Sequence, residues 1–105
     1  MVRSKFNRVL PRVRVAKQCR IAWADYEACG HTSNASYGGI AAEFPRGMKW
    51  RHQEAILTLL PEEITLRVRP VRFERKGRTT KVAFGVEGIE NGGPEWEQLN
   101  CLPRS

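Results

Sequence analysis

The residues from 64 to 87 constrain the fold most strongly, because apolar and polar side chains alternate there with a period of two. This period matches a β-strand with one buried and one exposed face. The stretch Lys76-Gly77-Arg78 divides the alternation into two runs, and two such runs around a turn predict a β-hairpin. Pro70 lacks a backbone N–H, so we expect it at a sheet edge or a bulge. The alternating apolar positions are Ile64, Leu66, Val68, Val71, Phe73, Val82, Phe84 and Val86.

The first half of the chain is compatible with both strands and helices. Residues 12–24 alternate, and the alternation is interrupted at residues 16–18, which predicts a strand that can hold a bulge. The apolar residues from 15 to 29 also fit the stripe of a helix, so the residues alone leave the two structures open. Residues 52–60 are similarly open between a strand and a helix ended by Pro61.

Shorter segments complete the pattern. Residues 28–34 predict a short strand that enters a turn, residues 38–44 predict a further strand, and residues 95–102 predict one or two helical turns. Five to seven short strands favour a small closed barrel, because closure leaves no unpaired edge. A length of 105 residues suits a single domain that spans the whole sequence.

Composition argues against several classes of protein. Hydrophobic residues make up 41% of the chain, which is enough for a modest core, and the longest apolar runs are too short to cross a bilayer. We find no secretion signal, and the odd number of cysteines predicts free thiols in the cytoplasm. No metal site, cofactor or catalytic group is predicted, because no metal-ligand spacing or catalytic constellation occurs. The cysteines are Cys19, Cys29 and Cys101.

Positive charge is concentrated near the N-terminus. The formal net charge is +7, and a run of cationic residues precedes the first acidic residue, Asp25. A one-sided basic segment is typical of a site for phosphate, carried either by nucleic acid or by a small ligand. Residues 1–11 contain Pro11 and show no apolar period, so we expect them to form a flexible arm. The cationic residues of the run are Arg3, Lys5, Arg8, Arg12, Arg14, Lys17 and Arg20.

Two short motifs lie about twenty residues apart. Arg8 and Arg12 form an Arg-x3-Arg element, which Pro11 keeps extended rather than helical. Downstream, Asn34-Ala35-Ser36-Tyr37-Gly38-Gly39 is a polar turn with two glycines. At this spacing the two motifs resemble the PilZ domain, the bacterial receptor module for cyclic di-GMP. Residues 82–86 are also similar to the glycine-containing final strand of the PilZ barrel.

The resemblance implies a mainly β protein built as a small closed antiparallel barrel of six to seven strands. It favours strands at residues 12–24 and 52–60. It divides the chain into a ligand-binding arm at residues 1–11, a barrel at residues 12–90 and a tail or short helix at residues 91–105.

The resemblance also implies a ligand site. Arg8 and Arg12 are expected to contact guanine edges and phosphate, since the arginine fork suits both. Asn34 and Ser36 are expected to bond the opposite guanine edge or a nearby phosphate. Gly38 and Gly39 belong to the same turn, and Gly39 keeps it small enough for a ligand to lie against it.

The implied function is a cyclic di-GMP-binding regulatory domain and not an enzyme. The Ser-x-Gly-Gly form of the turn is similar to that of bacterial cellulose synthases. This implies control of exopolysaccharide synthesis and a protein partner or parent polypeptide such as a glycosyltransferase, with no membrane insertion of this chain.

The alternative function is a basic barrel that binds nucleic acid through the arm and through Arg67, Arg69 and Arg72, which we favour less. A small-ligand site would depend on Arg8 and Arg12, whereas nucleic acid would give distributed contacts and a steep dependence on salt.

Overall fold

The computed structural model describes residues 13–36, 38–48, 50–51 and 53–100, and these residues form seven strands and one helix. The elements are β1 (Val13–Arg14), β2 (Gln18–Trp23), β3 (Tyr26–Ser36), β4 (Gly39–Pro45), β5 (Ala55–Leu59), β6 (Ile64–Lys76), β7 (Thr79–Asn91) and α1 (Gly93–Asn100).

Six of the strands close into an antiparallel barrel. Along the sheet they follow the order β3-β2-β5-β6-β7-β4, and pairing between β3 and β4 closes the ring. β1 is an additional short strand that pairs with the end of β3. The predicted fold class, a small closed antiparallel barrel with a C-terminal helical segment, is therefore confirmed.

The β6–β7 hairpin confirms the alternation seen in the sequence. Inward-facing residues pair across it, as Val68 does with Val86 and Phe73 with Val82. The register shifts between Pro70 and Arg72, so the proline lies at a bulge, as expected. Beyond Val68, β6 has no strand neighbour except β7 within the described residues, because β5 begins opposite Val68.

The N-terminal half also consists of strands. β2 pairs with β3 from Gln18 to Trp23, so a helix over residues 15–29 is wrong. β3 is longer than the segment predicted at residues 28–34, because it serves three neighbours: β2, β1 and β4. β5 settles the ambiguity at residues 52–60 in favour of a strand at Ala55–Leu59.

Aromatic side chains fill the barrel near both ends. Trp50, in the loop between β4 and β5, lies 5.2 Å from Phe44, 5.3 Å from Phe73 and 5.5 Å from Trp23, measured between ring centroids. Trp96 of α1 is fully buried, and α1 packs against β6. Between these ends the core is aliphatic, with inward-facing residues that include Ile21, Ile40, Leu57, Leu59, Leu66, Val68 and Val82.

Two of the three predicted free thiols are seen in the described residues. Cys19 is buried, and its burial raises the pKa of the thiol to about 12, whereas Cys29 is exposed. Both are unpaired, as predicted. Cys101 lies outside the described residues.

Gly30 allows β3 to pass close under β4. A Cβ atom at this position would overlap the carbonyl oxygen of Glu43 and lie 2.6 Å from Cδ1 of Phe44. Phe44 is itself buried, at 1% exposure, so it has little room to move. The absent side chain is therefore a condition for closing the barrel between β3 and β4.

We expect Gly30→Ala to destabilise the protein by about 1–3 kcal/mol, because an added methyl group in a packed core forces strain on its neighbours. Urea denaturation followed by circular dichroism measures the change. Gly38→Ala is the matched control, since a Cβ there would meet nothing within 4 Å. Equal losses of stability in the two variants would contradict this account of Gly30.

Candidate functional site

The chain between β1 and β2 breaks the edge of the sheet beside the predicted site. Arg14 pairs with Asn34 and Gln18 pairs with His31, so residues 15–17 lie opposite only Thr32 and Ser33. The segment thus contains one residue more than the strand it faces. Such an insertion is a bulge, as the sequence predicted for residues 16–18.

The side chain of Thr32 fills this break. Its hydroxyl accepts a hydrogen bond from the Lys17 N–H at 2.9 Å and donates one to the Val15 carbonyl. The Thr32 N–H donates to the Lys17 carbonyl at 2.8 Å. Thr32 is the single buried polar side chain among the described residues, at 2% exposure. Its hydroxyl replaces ladder bonds that the backbone cannot make there.

A second bulge lies on the opposite edge of β3. Thr32 pairs with Ala42 and Asn34 pairs with Ala41, which leaves Ser33 as an extra residue. Because side chains alternate along a strand, one extra residue reverses the faces that follow. Thr32 and Ala35 are both buried, so Asn34 and Ser36 lie on the outer face.

Arg14 lies directly opposite Asn34 and is exposed. Directly opposed residues of an antiparallel pair project from the same face. A surface depression of about 530 Å³ lies here, lined by Val13, Arg14, Ala16, Ser33 and Asn34. Arg14 was not among the predicted site residues. Arg8 and Arg12, which were, lie outside the described residues.

The two glycines of the predicted turn have different surroundings. Neither Gly38 nor Gly39 is among the described glycines with a positive φ. A Cβ at Gly39 would lie 3.2 Å from the Phe84 carbonyl oxygen, so glycine permits the close approach of β4 to β7. A Cβ at Gly38 would meet open space, and its carbonyl accepts a bond from the Val86 N–H at 3.0 Å. The fold requires no glycine at position 38.

A surface without large side chains continues from the turn. Gly39 pairs with Gly85, and Ala41 pairs with Ala83, all at outward positions of β4 and β7. We call these four residues the small-residue face. On β3, Asn34 pairs with Ala41 of β4 and Ser36 pairs with Gly39 of β4. These two polar residues therefore border the small-residue face. A depression of about 480 Å³ covers it and extends to Val71 and Arg72 of β6.

Sequence reasoning missed the small-residue face. The signal was present in β7, where Ala83 and Gly85 alternate with the core residues Val82, Phe84 and Val86. Without the register of β4 against β7, these residues could not be placed beside Asn34.

The cations around the site differ in their partners. Arg69 donates to Glu87 at 3.0 Å, which lowers the pKa of that carboxyl, and Arg67 lies 2.6 Å from Glu90. Arg14 and Arg72 form no ion pair within the described part of the chain, and they lie on opposite sides of the small-residue face. Two arginines without an ion-pair partner among the described residues therefore flank this face.

The described residues contain neither a cluster of metal ligands nor a helix that could span a membrane. No group of three or more His, Cys, Asp or Glu side chains could hold a metal ion. No helix has the length and apolar character needed to cross a membrane.

Comparison with known proteins shows the fold. No family model and no curated protein matches the chain. Two solved structures superpose on 88% of it: the Bacillus subtilis inhibitor of motility (MotI/DgrA), with a TM-score of 0.71 and 21% identity, and Escherichia coli YcgR in complex with c-di-GMP, with a TM-score of 0.60 and 13% identity. This chain spans less than half the length of either protein, 47% and 42% respectively. The barrel is thus the fold that these structures share.

We expect Thr32→Val to lower the free energy of unfolding by about 1–3 kcal/mol, because the half-buried Lys17 N–H and the buried Val15 carbonyl lose their partner. Urea denaturation tests this. Thr58→Val is the matched control, since Thr58 lies at a half-buried position of β5 with no side-chain hydrogen bond among the described residues. A Thr32→Val variant as stable as the control would show that the break does not depend on the hydroxyl.

Proposed function

We propose that the chain is a receptor for cyclic di-GMP, with a site formed by the N-terminal arm and the outer face of the barrel. The residues assigned to the ligand are Arg8, Arg12, Asn34, Ser36, Gly38 and Gly39. The observation that carries the proposal is the bulge at Ser33, which turns Asn34 and Ser36 outward beside the small-residue face. The shared fold with YcgR, whose solved structure contains c-di-GMP, supports it.

The chemistry of these side chains suits the ligand. Guanine presents O6 and N7 as adjacent acceptors, and an arginine fork can donate to both or to a phosphate. The Asn34 amide offers one acceptor oxygen where a carboxylate would offer two. The amide therefore binds the guanine N–H groups less strongly than Asp would, which predicts a lower affinity and not the loss of binding.

The small-residue face gives the ligand a surface on which to lie. Glycine and alanine side chains do not project, so a planar purine can approach the backbone of β4 and β7 there. Gly38 has open space where a Cβ would stand, which suits close approach by a ligand. Arg14 and Arg72, which flank this face, favour a doubly negative molecule.

The nucleic-acid alternative gains less support from the same surface. It depended on Arg67, Arg69 and Arg72, but Arg67 is paired with Glu54 and Glu90, and Arg69 with Glu87. An arginine paired with a carboxylate has fewer free donors and a partly neutralised charge, so it attracts a phosphate less strongly. Of the three arginines, Arg72 alone has no such partner among the described residues.

The proposal also includes the kind of effector that the receptor regulates. The Ser-x-Gly-Gly turn supports a polysaccharide-synthesising glycosyltransferase, such as a cellulose synthase. The matched inhibitor of motility supports a different output, and this chain covers less than half of that protein.

Isothermal titration calorimetry with cyclic di-GMP tests the ligand site. We expect Arg8→Ala and Arg12→Ala each to weaken binding by about 1–3 kcal/mol, the value of a fork on guanine. Arg12→Lys should also weaken binding, because lysine keeps the charge and loses the fork. Arg67→Ala is the control and should change affinity little, since a distant charge is screened beyond about 8–10 Å.

The pattern among these variants decides between the two functions. Equal losses in all four would mean that net charge alone matters, and the specific site would be wrong. Absence of any heat of binding in the unsubstituted protein would rule out the receptor function itself.

A further inference from the structure

Ion pairing divides the positive charge of the barrel into two classes. Lys17, Arg20, Arg51, Arg67 and Arg69 each lie within 4 Å of an acidic side chain. The other cations of the described residues form no ion pair there, and they are Arg14, Arg46, Arg72, Arg75, Lys76, Arg78 and Lys81. Apart from Arg14, all of these lie on the β6–β7 hairpin or beside its turn.

Two hydrogen bonds hold Arg46 beside the turn of the β6–β7 hairpin. The Arg46 guanidinium donates to the Gly77 carbonyl at 3.0 Å, and the Arg46 N–H donates to the Arg78 carbonyl at 3.3 Å. The turn after β4 is therefore tied to the turn between β6 and β7. Arg75, Lys76 and Arg78 are all exposed at this point.

A groove with an aromatic floor adjoins these charges. It has a volume of about 550 Å³ and is lined by Arg46, Met48, Trp50, Phe73 and Arg75, together with Gly47 and Thr80. Trp50 and Phe73 meet edge to face, with ring centroids 5.3 Å apart, and both are half-buried. We call this concavity the hairpin groove.

Protection of a free sheet edge does not account for the whole cluster. The second half of β6 has no strand partner but β7 within the described residues, and charged side chains on such an edge prevent unwanted pairing. That role covers Arg72 and Arg75. It does not cover Arg46 and Arg78. These residues lie in the turn after β4 and in the turn between β6 and β7, which the hydrogen bonds of Arg46 join.

We propose that the hairpin groove docks an acidic segment of a protein partner, with one apolar side chain of that segment inserted between Arg46 and Arg75. The apolar anchor would cover Met48, Trp50 and Phe73, while flanking carboxylates would pair with the arginines. Arginine forks bind carboxylates in bidentate geometry, which a lysine cannot match.

The composition of the surface favours a protein over other polyanions. Arginine, methionine and aromatic residues are enriched in the cores of protein–protein interfaces, whereas lysine is depleted. Among the described residues, the groove and the adjoining turn contain three arginines, Arg46, Arg75 and Arg78, and one lysine, Lys76. The excess of arginine over lysine beside aromatic side chains therefore favours a protein segment.

Fluorescence anisotropy with a short labelled polyglutamate peptide that carries one central Phe tests the proposal. We expect saturable binding that falls at least about fivefold in Arg75→Gln/Arg78→Gln, because two charge-assisted contacts are lost. The control Arg20→Gln/Arg67→Gln removes the same charge from the barrel wall and should stay near the unsubstituted affinity. The same peptide without Phe should bind more weakly, since the groove stays unfilled.

Three outcomes would overturn the inference: no saturable binding, an equal loss in the control, or equal binding of oligothymidylate or phosphatidylglycerol vesicles with the same response to the variants. Both substitutions are at exposed positions, and thermal melting checks that the variants fold. If the double variant melts early, Arg75→Gln alone takes its place. Calorimetry with cyclic di-GMP on the double variant separates this result from the receptor function, because the two sites use different residues.

Discussion

The Thr32 hydroxyl bridges the break between β1 and β2, beside the bulge that sets which residues of β3 face outward. β3 must pair with β2 and β1 on one edge and with β4 on the other, and both edges change register at Thr32 and Ser33. Without a partner for the Val15 carbonyl and the Lys17 N–H, the break between β1 and β2 would bury unpaired backbone groups. The buried Thr32 side chain thus stabilises the break between β1 and β2. The adjoining bulge at Ser33 turns Asn34 and Ser36 outward.

Closure of the barrel depends on the close approach of neighbouring strands at two glycines. β3 and β4 meet because Gly30 leaves space for Phe44, and β4 and β7 meet because Gly39 has no side chain near the Phe84 carbonyl. The interior is then filled by aromatic rings, with Trp50 near one end and Trp96 in the helix that packs on β6. The glycines that permit closure and those of the predicted ligand turn overlap at Gly39. That overlap means that a binding defect at position 39 must always be separated from a folding defect.

The sequence predicted the parts of this fold that depend on local periodicity. The β6–β7 hairpin, the bulge at Pro70 and the barrel followed from alternation and turn chemistry, and the break after Arg14 followed from the interruption of the alternation at residues 16–18. The bulge at Ser33 could not be predicted, because residues 28–34 contain no large apolar side chain and so carry no alternation to interrupt. The small-residue face and the hairpin groove were missed for a related reason. Each is assembled from strands or loops distant in sequence, and only the register brings Gly39 beside Gly85, or Arg46 beside Gly77.

The two proposed sites lie at opposite ends of the same pair of strands, and this separation limits how they can influence each other. β4 and β7 pair without a register shift from Gly39 opposite Gly85 to Pro45 opposite Thr79. At about 3.4 Å per residue, the six steps from Gly39 to Pro45 span roughly 20 Å. This exceeds the Debye length of about 8–10 Å at physiological salt, so the charge of a nucleotide at one end is screened at the other. An uninterrupted ladder also transmits no change of register. Coupling between the two sites, where it exists, must therefore come from a segment that moves when ligand binds, and not from the barrel wall that joins them.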